Sequence, residues 1–217
     1  MCRQTIKPIE VIFVDGKSTD NTLKIVSEYT DKLPLKIIIQ KNTGIGDARQ
    51  DGFEQAKGEV IASTDADIVL PPDWVERIEK IFHRSKIVGV AGPYIFYHWP
   101  LLPKYFWLWN CWLGDYLQKL FSGFIGFRGM NFAVRRQIWK SAGGFNRSIS
   151  ALEDIDLARR VVRYGRIAYD RGLVVSTTDR RFRQDNFQST LYRMGAYFYR
   201  IILKSDQKFR HWKQIRE

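Results

Sequence analysis

Histidine and cysteine are scarce in this chain, with three and two residues among 217. His83, His98 and His211 stand far apart and suggest neither a zinc site nor a catalytic triad. Cys2 and Cys111 have no metal-ligand spacing and build no disulfide framework, which fits a reducing compartment. Long apolar runs are missing as well. The longest uncharged stretch, residues 87–103, contains Pro93, Pro100, Pro103, Gly89 and Gly92, and is too short and too broken for a spanning helix. Met1-Cys2-Arg3-Gln4 leads into no apolar segment, so no secretory leader is expected. Acidic residues are few at one end only. Residues 159–217 hold 15 Lys/Arg against 5 Asp/Glu, whereas residues 1–158 hold 20 against 18, so most of the net +12 lies in the last quarter. Charge segregated in this way fits a polyanionic partner: anionic lipid head groups, a nucleic acid or a phosphorylated substrate.

What is present supports one large domain, or one domain with an extension, around a sizeable core, since 45% of the residues are hydrophobic. Residues 10–14 and 35–39 read as buried strands. Leu23, Val26 and Tyr29 give a helical pattern between them, opened by the capping-rich Lys17-Ser18-Thr19-Asp20-Asn21-Thr22. A turn at 41–46 leads into a helix over 47–56. Val60-Ile61-Ala62-Ser63-Thr64 is a further strand, and Pro71-Pro72-Asp73 opens a helix over 74–83 with Val75, Ile78 and Phe82 on one face. Strand and helix alternate three times with short connections, and the strands are continuous apolar runs. This predicts an α/β fold whose mixed, mainly parallel sheet carries helices on both faces.

From residue 88 the texture changes. A strand at 88–93 precedes a stretch from Tyr94 to Phe127 crowded with aromatics, with four of the seven tryptophans between Trp99 and Trp112. Tryptophan and tyrosine favour sites apolar at one end and wet at the other, so this is either an aromatic subcore over the sheet or an element facing a membrane or a lipid acceptor. A loop and strand follow at 127–134, short helices at 135–142 and from 151 to about 164, and a last strand at 173–176. From Asn186 one helix is expected. Its apolar stripe is Phe187, Leu191, Met194, Phe198 and Ile201, with Arg193, Arg200 and Lys204 off it, which suits either an interfacial helix or one packed on its own domain.

Asp65 and Asp67 end the strand at 60–64. In open α/β sheets ligands sit beyond the carboxyl ends of strands, and two carboxylates so close call for a positive partner. A hard divalent cation, Mn²⁺ or Mg²⁺, suits oxygen ligands and leaves positions open for phosphates. A solvated strand-end turn is the plainer alternative. The acidic residues at 153–156 begin a helix, where the dipole favours them, and for Asp156 that is the whole expectation.

Several pieces then fall in one order. Val11-Ile12-Phe13-Val14-Asp15-Gly16-Lys17-Ser18-Thr19-Asp20-Asn21-Thr22 resembles the VDDGSTDNT signature of family 2 inverting glycosyltransferases of the GT-A fold. Asn42-Thr43-Gly44, Ala48-Arg49, Gly52 and Ala56-Lys57-Gly58-Glu59 are similar to the stretch that leads into the family's Asp-x-Asp strand. Gly129-Met130-Asn131-Phe132-Ala133, Gly143-Gly144-Phe145 and Glu153-Asp154-Ile155-Asp156-Leu157 are similar to its G-x-N-x-A, GGF and ED-x-D-L motifs. The resemblance covers about residues 9–160, and together the six pieces are specific.

It implies roles. Asp15 would hold the base of a nucleotide-sugar, with Arg49 nearby. Asp65 would face the ribose and share with Asp67 the metal that bridges the diphosphate. Asp154, within the Glu153-Asp154 pair, would be the general base, and Asn131, Arg180 and Arg181 would join the donor site. The chemistry agrees, since an inverting transfer needs one carboxylate for the acceptor hydroxyl and positive charge on the leaving diphosphate. The expected partners are a UDP- or GDP-sugar, a glycan or lipid-linked acceptor and an anionic membrane surface, at the cytosolic face. No nucleic acid is expected, because that reading leaves the carboxylates unexplained. A catalytically inactive relative that binds glycan or scaffolds a complex is the alternative.

Three departures stand out. Gly16 replaces the family's second Asp and Lys17 its Gly. Arg180-Arg181-Phe182-Arg183-Gln184 contains no Gln-x-x-Arg-Trp, which counts against a processive synthase of the cellulose or hyaluronan type. Only nine residues precede Glu10, where the family's first strand with its P-x-Y-N-E motif would be expected. The catalytic domain is therefore expected over 1–180, N-terminally incomplete and lacking a central strand, with a basic amphipathic extension over 181–217. A missing central strand would leave neighbouring edges open.

Overall fold

The computed structural model describes residues 1–149 and 151–180. Arg181 and the amphipathic helix expected from Asn186 lie outside the described residues. The chain opens with β1 (Val11–Asp15), α1 (Thr22–Ser27) and β2 (Leu35–Ile39), a right-size β-α-β unit in which β1 and β2 run parallel with Val11 opposite Leu35 and Asp15 opposite Ile39. The next helix, α2 (Ile45–Gln55), packs on β1.

A four-stranded sheet follows. β3 (Val60–Ser63) pairs antiparallel with β6 (Phe132–Arg135), β6 pairs antiparallel with β4 (Ile87–Ala91), and β4 pairs parallel with β7 (Arg166–Tyr169). A separate parallel pair joins β5 (Tyr94–Phe96) to β8 (Val175–Thr177). The mixed sheet is as expected, but β1–β2 and β3 belong to different sheets, and no strand pairing among the described residues joins them.

The core has two sides because β4 is buried at every position and Phe132, Ala133 and Val134 of β6 are fully buried. Val88, Ala91, Phe132 and Val134 point to one side, against Phe53 of α2, Trp139 of α5 (Arg136–Ser141) and Ile155, Leu157, Ala158 and Val161 of α6 (Glu153–Val161). Ile87, Val90 and Ala133 point to the other, against Trp74, Ile78 and Phe82, which fall at i, i+4 and i+8 of α3 (Trp74–Phe82). In β6 this is the period of two that a pleated strand imposes on its side chains; in β4 a register shift between Ile87 and Gly89 interrupts it, so that Val88 and Ala91 share a side. Phe127 stacks on Phe132, with ring centroids 4.6 Å apart, and thereby anchors the loop that carries the site.

The aromatic stretch is mostly one helix, α4 (Leu101–Ser122), which ends at Gly123 with φ 82°. No helix among the described residues is long and apolar enough to cross a membrane.

Asn131, expected at the donor, is instead a core residue and that expectation is corrected. It is 0% exposed; its amide donates to the carbonyls of Pro93 at 2.9 Å and Leu173 at 2.7 Å, and its oxygen accepts from Trp74 Nε1 at 2.9 Å. These contacts tie β6 to the segments around β5, β8 and α3 and leave the side chain nothing for a ligand.

Candidate active site

The site forms where β3 ends, and one glycine joins its parts. The backbone at Gly129 donates its N–H to Asp154 Oδ2 at 2.6 Å and accepts the Ser63 hydroxyl at 3.0 Å. The Arg49 guanidinium lies directly over Gly129; a Cβ there would sit 2.2 Å from Arg49 Nη2, so any side chain at this position has to displace the guanidinium. From α2, Arg49 reaches two carboxylates. Its Nη2 donates to Asp65 Oδ1 at 2.9 Å, and its Nη1 forms a close ion pair with Glu153. The Arg49 and Glu153 side chains are 12% and 7% exposed, while Asp65 is 43% exposed. Residues as far apart in sequence as Arg49 and Glu153, separated by 104 positions, thus meet at one point beyond the carboxyl end of a strand.

Asp154 is the unusual member. Burial raises its carboxyl to about 6, the adjacent Glu153 charge adds to this, and Arg49 and the amides of Gly129 and Ile155 oppose it. A carboxyl so placed can accept a proton near neutral pH. Leu152, just before α6, adopts φ 61°, a left-handed conformation that turns the chain into the Glu153-Asp154 pair. Beside Asp154 lies a cavity of about 310 Å³ lined by Tyr94, Asp115, Gln118, Arg128, Met130 and Asp154 among others.

Arg128 and Asp115 were missed by sequence reasoning. They form a buried pair at 2.8 Å, with side chains 20% and 6% exposed. Burial pushes the Asp115 carboxyl up despite Arg128. The available signal was that Asp115 is the lone acid of residues 101–122, and a lone acid on a buried face needs a cation. Asp156 does more than meet the helix dipole: buried, it holds Arg160 at 2.6 Å, and Arg160 in turn donates to the Gly144 carbonyl at 2.6 Å.

Residues 1–142 match the model of Glycosyl transferase family 2. The chain belongs to that family. Among curated relatives, the chain is 30% identical to the chondroitin synthase of Escherichia coli over 78% of its length and 25% of that protein. It is 43% identical to an uncharacterized glycosyltransferase of Nostoc sp. over 40% of this chain and 28% of the other. It is 35% identical to an undecaprenyl-phosphate 4-deoxy-4-formamido-L-arabinose transferase of Pectobacterium carotovorum over 36% of this chain and 24% of the other. The chain thus spans about a quarter of the length of these relatives.

The chain has the GT-A fold. The Pyrobaculum calidifontis mannosyltransferase, solved with GDP-Man and Mn²⁺, superposes with a TM-score of 0.69 at 19% identity over 97% of this chain and 59% of that one. S. aureus TarS with UDP-GlcNAc superposes with a TM-score of 0.65 at 19% identity over 95% and 62%.

Asp15 ends β1, 2% exposed, and its Oδ2 accepts the Ser18 amide at 2.9 Å. It belongs to the other sheet, the one on which α2 packs. Lys17, at the family's glycine, keeps a glycine-like φ of 64°. Arg180 is exposed near β8, its amide on Thr178 Oγ1 at 3.2 Å.

No group of three or more His, Cys, Asp and Glu residues suited to a metal exists among the described residues. Asp67 is exposed and Asp65 commits one oxygen to Arg49. This donor set of two hard carboxylates fits an Mn²⁺ or Mg²⁺ ion that takes most of its ligands from water and a diphosphate, not one caged by protein.

Proposed function

We propose that the chain moves a sugar from a UDP- or GDP-sugar to an acceptor hydroxyl, with inversion and with Mn²⁺ or Mg²⁺. The observation that carries this reading is the junction at Gly129, which holds Asp154 beside the Asp65 end of β3 while Arg49 neutralises Glu153 and Asp65. Asp154 then takes the proton of the acceptor hydroxyl as its oxygen bonds to the anomeric carbon from the side opposite the diphosphate. The carbon–oxygen bond to the diphosphate breaks, and the configuration inverts. A bound divalent cation supplies positive charge where negative charge develops on the leaving group. Asp65 and Asp67 hold that ion, Asp15 contacts the base, and Arg180 and Arg181 approach the diphosphate. Glu153 is a positioning residue that acts through Arg49.

The acceptor is a lipid-linked or cell-surface glycan precursor, met at the cytosolic face of a membrane. The similarity to an undecaprenyl-phosphate arabinose transferase and to chondroitin synthase supports that class. One observation favours a second reading, a non-catalytic relative: Asp15 and Asp65 sit on sheets that no strand pairing joins.

Calorimetric titration of UDP and GDP, with and without Mn²⁺, on the protein and on Asp67→Ala, tests both. Metal-dependent binding of one nucleotide, lost in Asp67→Ala, supports the transferase and identifies the base. Folded protein that binds neither nucleotide supports the second reading.

A further inference from the structure

Helix α4 is turned inside out. Its sides toward the protein carry Cys111, Asp115 and Gln118, all buried, with Asp115 locked to Arg128. Its sides toward solvent carry Leu102 (83% exposed), Tyr105 (66%), Phe106 (66%), Trp109 (50%), Leu120 (64%) and Phe121 (70%). At 100° per residue the first five of these fall on one face, with Phe121 at its edge, and no charged residue interrupts them. A water-facing helix has the opposite pattern, and an unbroken apolar face of this extent marks a contact surface.

The charges around it identify the contact. The only carboxylate of residues 101–122, Asp115, is buried, so α4 exposes cations alone. Lys119 is exposed at one edge of the apolar face, and Arg171 lies 3.9 Å over the Trp112 ring at the same edge. The 159–217 segment adds a net +10 to the same molecule, from 15 Lys/Arg and 5 Asp/Glu. An apolar face rich in Trp and Tyr with a cationic rim matches the boundary between anionic head groups and acyl chains. The helix is not apolar enough to cross a bilayer, and its 22 residues laid flat span about 33 Å.

We propose that α4 seats the protein on an anionic lipid surface, lying in its plane with the Trp109 face down. Its buried face then becomes a wall of the cavity beside Asp154, because Asp115 and Gln118 line that cavity together with Asp154. An acceptor whose lipid tail stays in the bilayer reaches Asp154 along α4. This last step rests on the transferase reading; the docking itself does not.

Vesicle flotation of the full chain tests the docking. The probes are phosphatidylcholine vesicles with and without 30% phosphatidylglycerol (about a third anionic lipid, enough for a strong surface potential). The key variant is Phe106→Ser/Trp109→Ser/Leu120→Ser, which keeps every charge. We expect the protein to float with anionic vesicles and the variant to lose about tenfold or more of that binding, with circular dichroism and nucleotide titration unchanged. A variant that floats as well as the parent overturns the proposal, because the C-terminal charge then suffices. A parent that stays at the bottom overturns it too, and a concentration-dependent dimer abolished by the same substitutions would show that a second copy covers the face. Loss of nucleotide binding in the parent, with flotation intact, would defeat the transferase reading alone.

Discussion

Burial at the start of α6 gives Asp154 the proton affinity that an acceptor-activating base needs, and the same burial makes it testable by pH. With its carboxyl raised to about 6, transfer should fall as pH drops through that value, because the protonated acid accepts nothing. Stability should respond the other way. Between the ordinary carboxylate value and about 6 the folded protein holds a proton that the unfolded chain has lost, so this group favours folding more as pH falls. Asp154→Asn should cost about 10²–10⁴-fold in kcat with little change in fold, and should erase the acidic limb of the rate profile. A profile with the limb intact in Asp154→Asn would assign the limb, and the base, elsewhere. Lys17 offers a stability test: its φ of 64° is glycine territory, so Lys17→Gly should stabilise by about 1 kcal/mol, raising Tm by about 2–4 °C. An unchanged or lower Tm in thermal unfolding would mean that the Lys17 side chain returns what its backbone costs.

Among the elements, α2, β3 and α6 share one side of the core and come together again at the site, where Arg49 is the clamp. Removing it leaves Glu153, 7% exposed, as an uncompensated buried charge. Arg49→Leu should therefore destabilise the fold by about 3–5 kcal/mol in denaturant unfolding. A loss below about 1 kcal/mol would show that Glu153 simply takes up a proton. This scale also shows what could be read in advance. Residues 35–39, 60–63 and 74–82 carry one clear period each, apolar runs for the strands and an i, i+4, i+8 stripe for the helix, so their boundaries were legible. Helix α4 was not, because many of its large apolar residues face outward while Asp115 and Gln118 are buried, which hides a helix from any rule that assumes the apolar face is inside. β5 and β7, three and four residues long, are too short for a period to show. Asp65 was legible from its place at a strand end, whereas Arg49 and Asp154 were legible only as members of a motif order. Asn131 sat in a motif of the same kind but spends all its hydrogen bonds on the core.

Taken as a whole, the molecule is built from sheets of unequal security. β4 is buried at every position and paired on both sides, whereas β1 is only partly buried apart from Asp15 and is paired on one side alone. Open edges and partial burial place β1 and β2 at the low end of local stability. Amide hydrogen exchange should show it: the amides of β4 and β6 should exchange about 100-fold or more slowly than those of β1 and β2. Nucleotide then gives the decisive comparison. A donor that contacts both Asp15 on β1 and Asp65 beyond β3 bridges units that no strand pairing connects, so its binding energy must appear as added protection across β1 and β2. Added protection at both strand ends would show that the nucleotide completes the site. Protection confined to residues around Asp65 and Gly129 would remove Asp15 from the donor site while leaving the Asp154 chemistry in place.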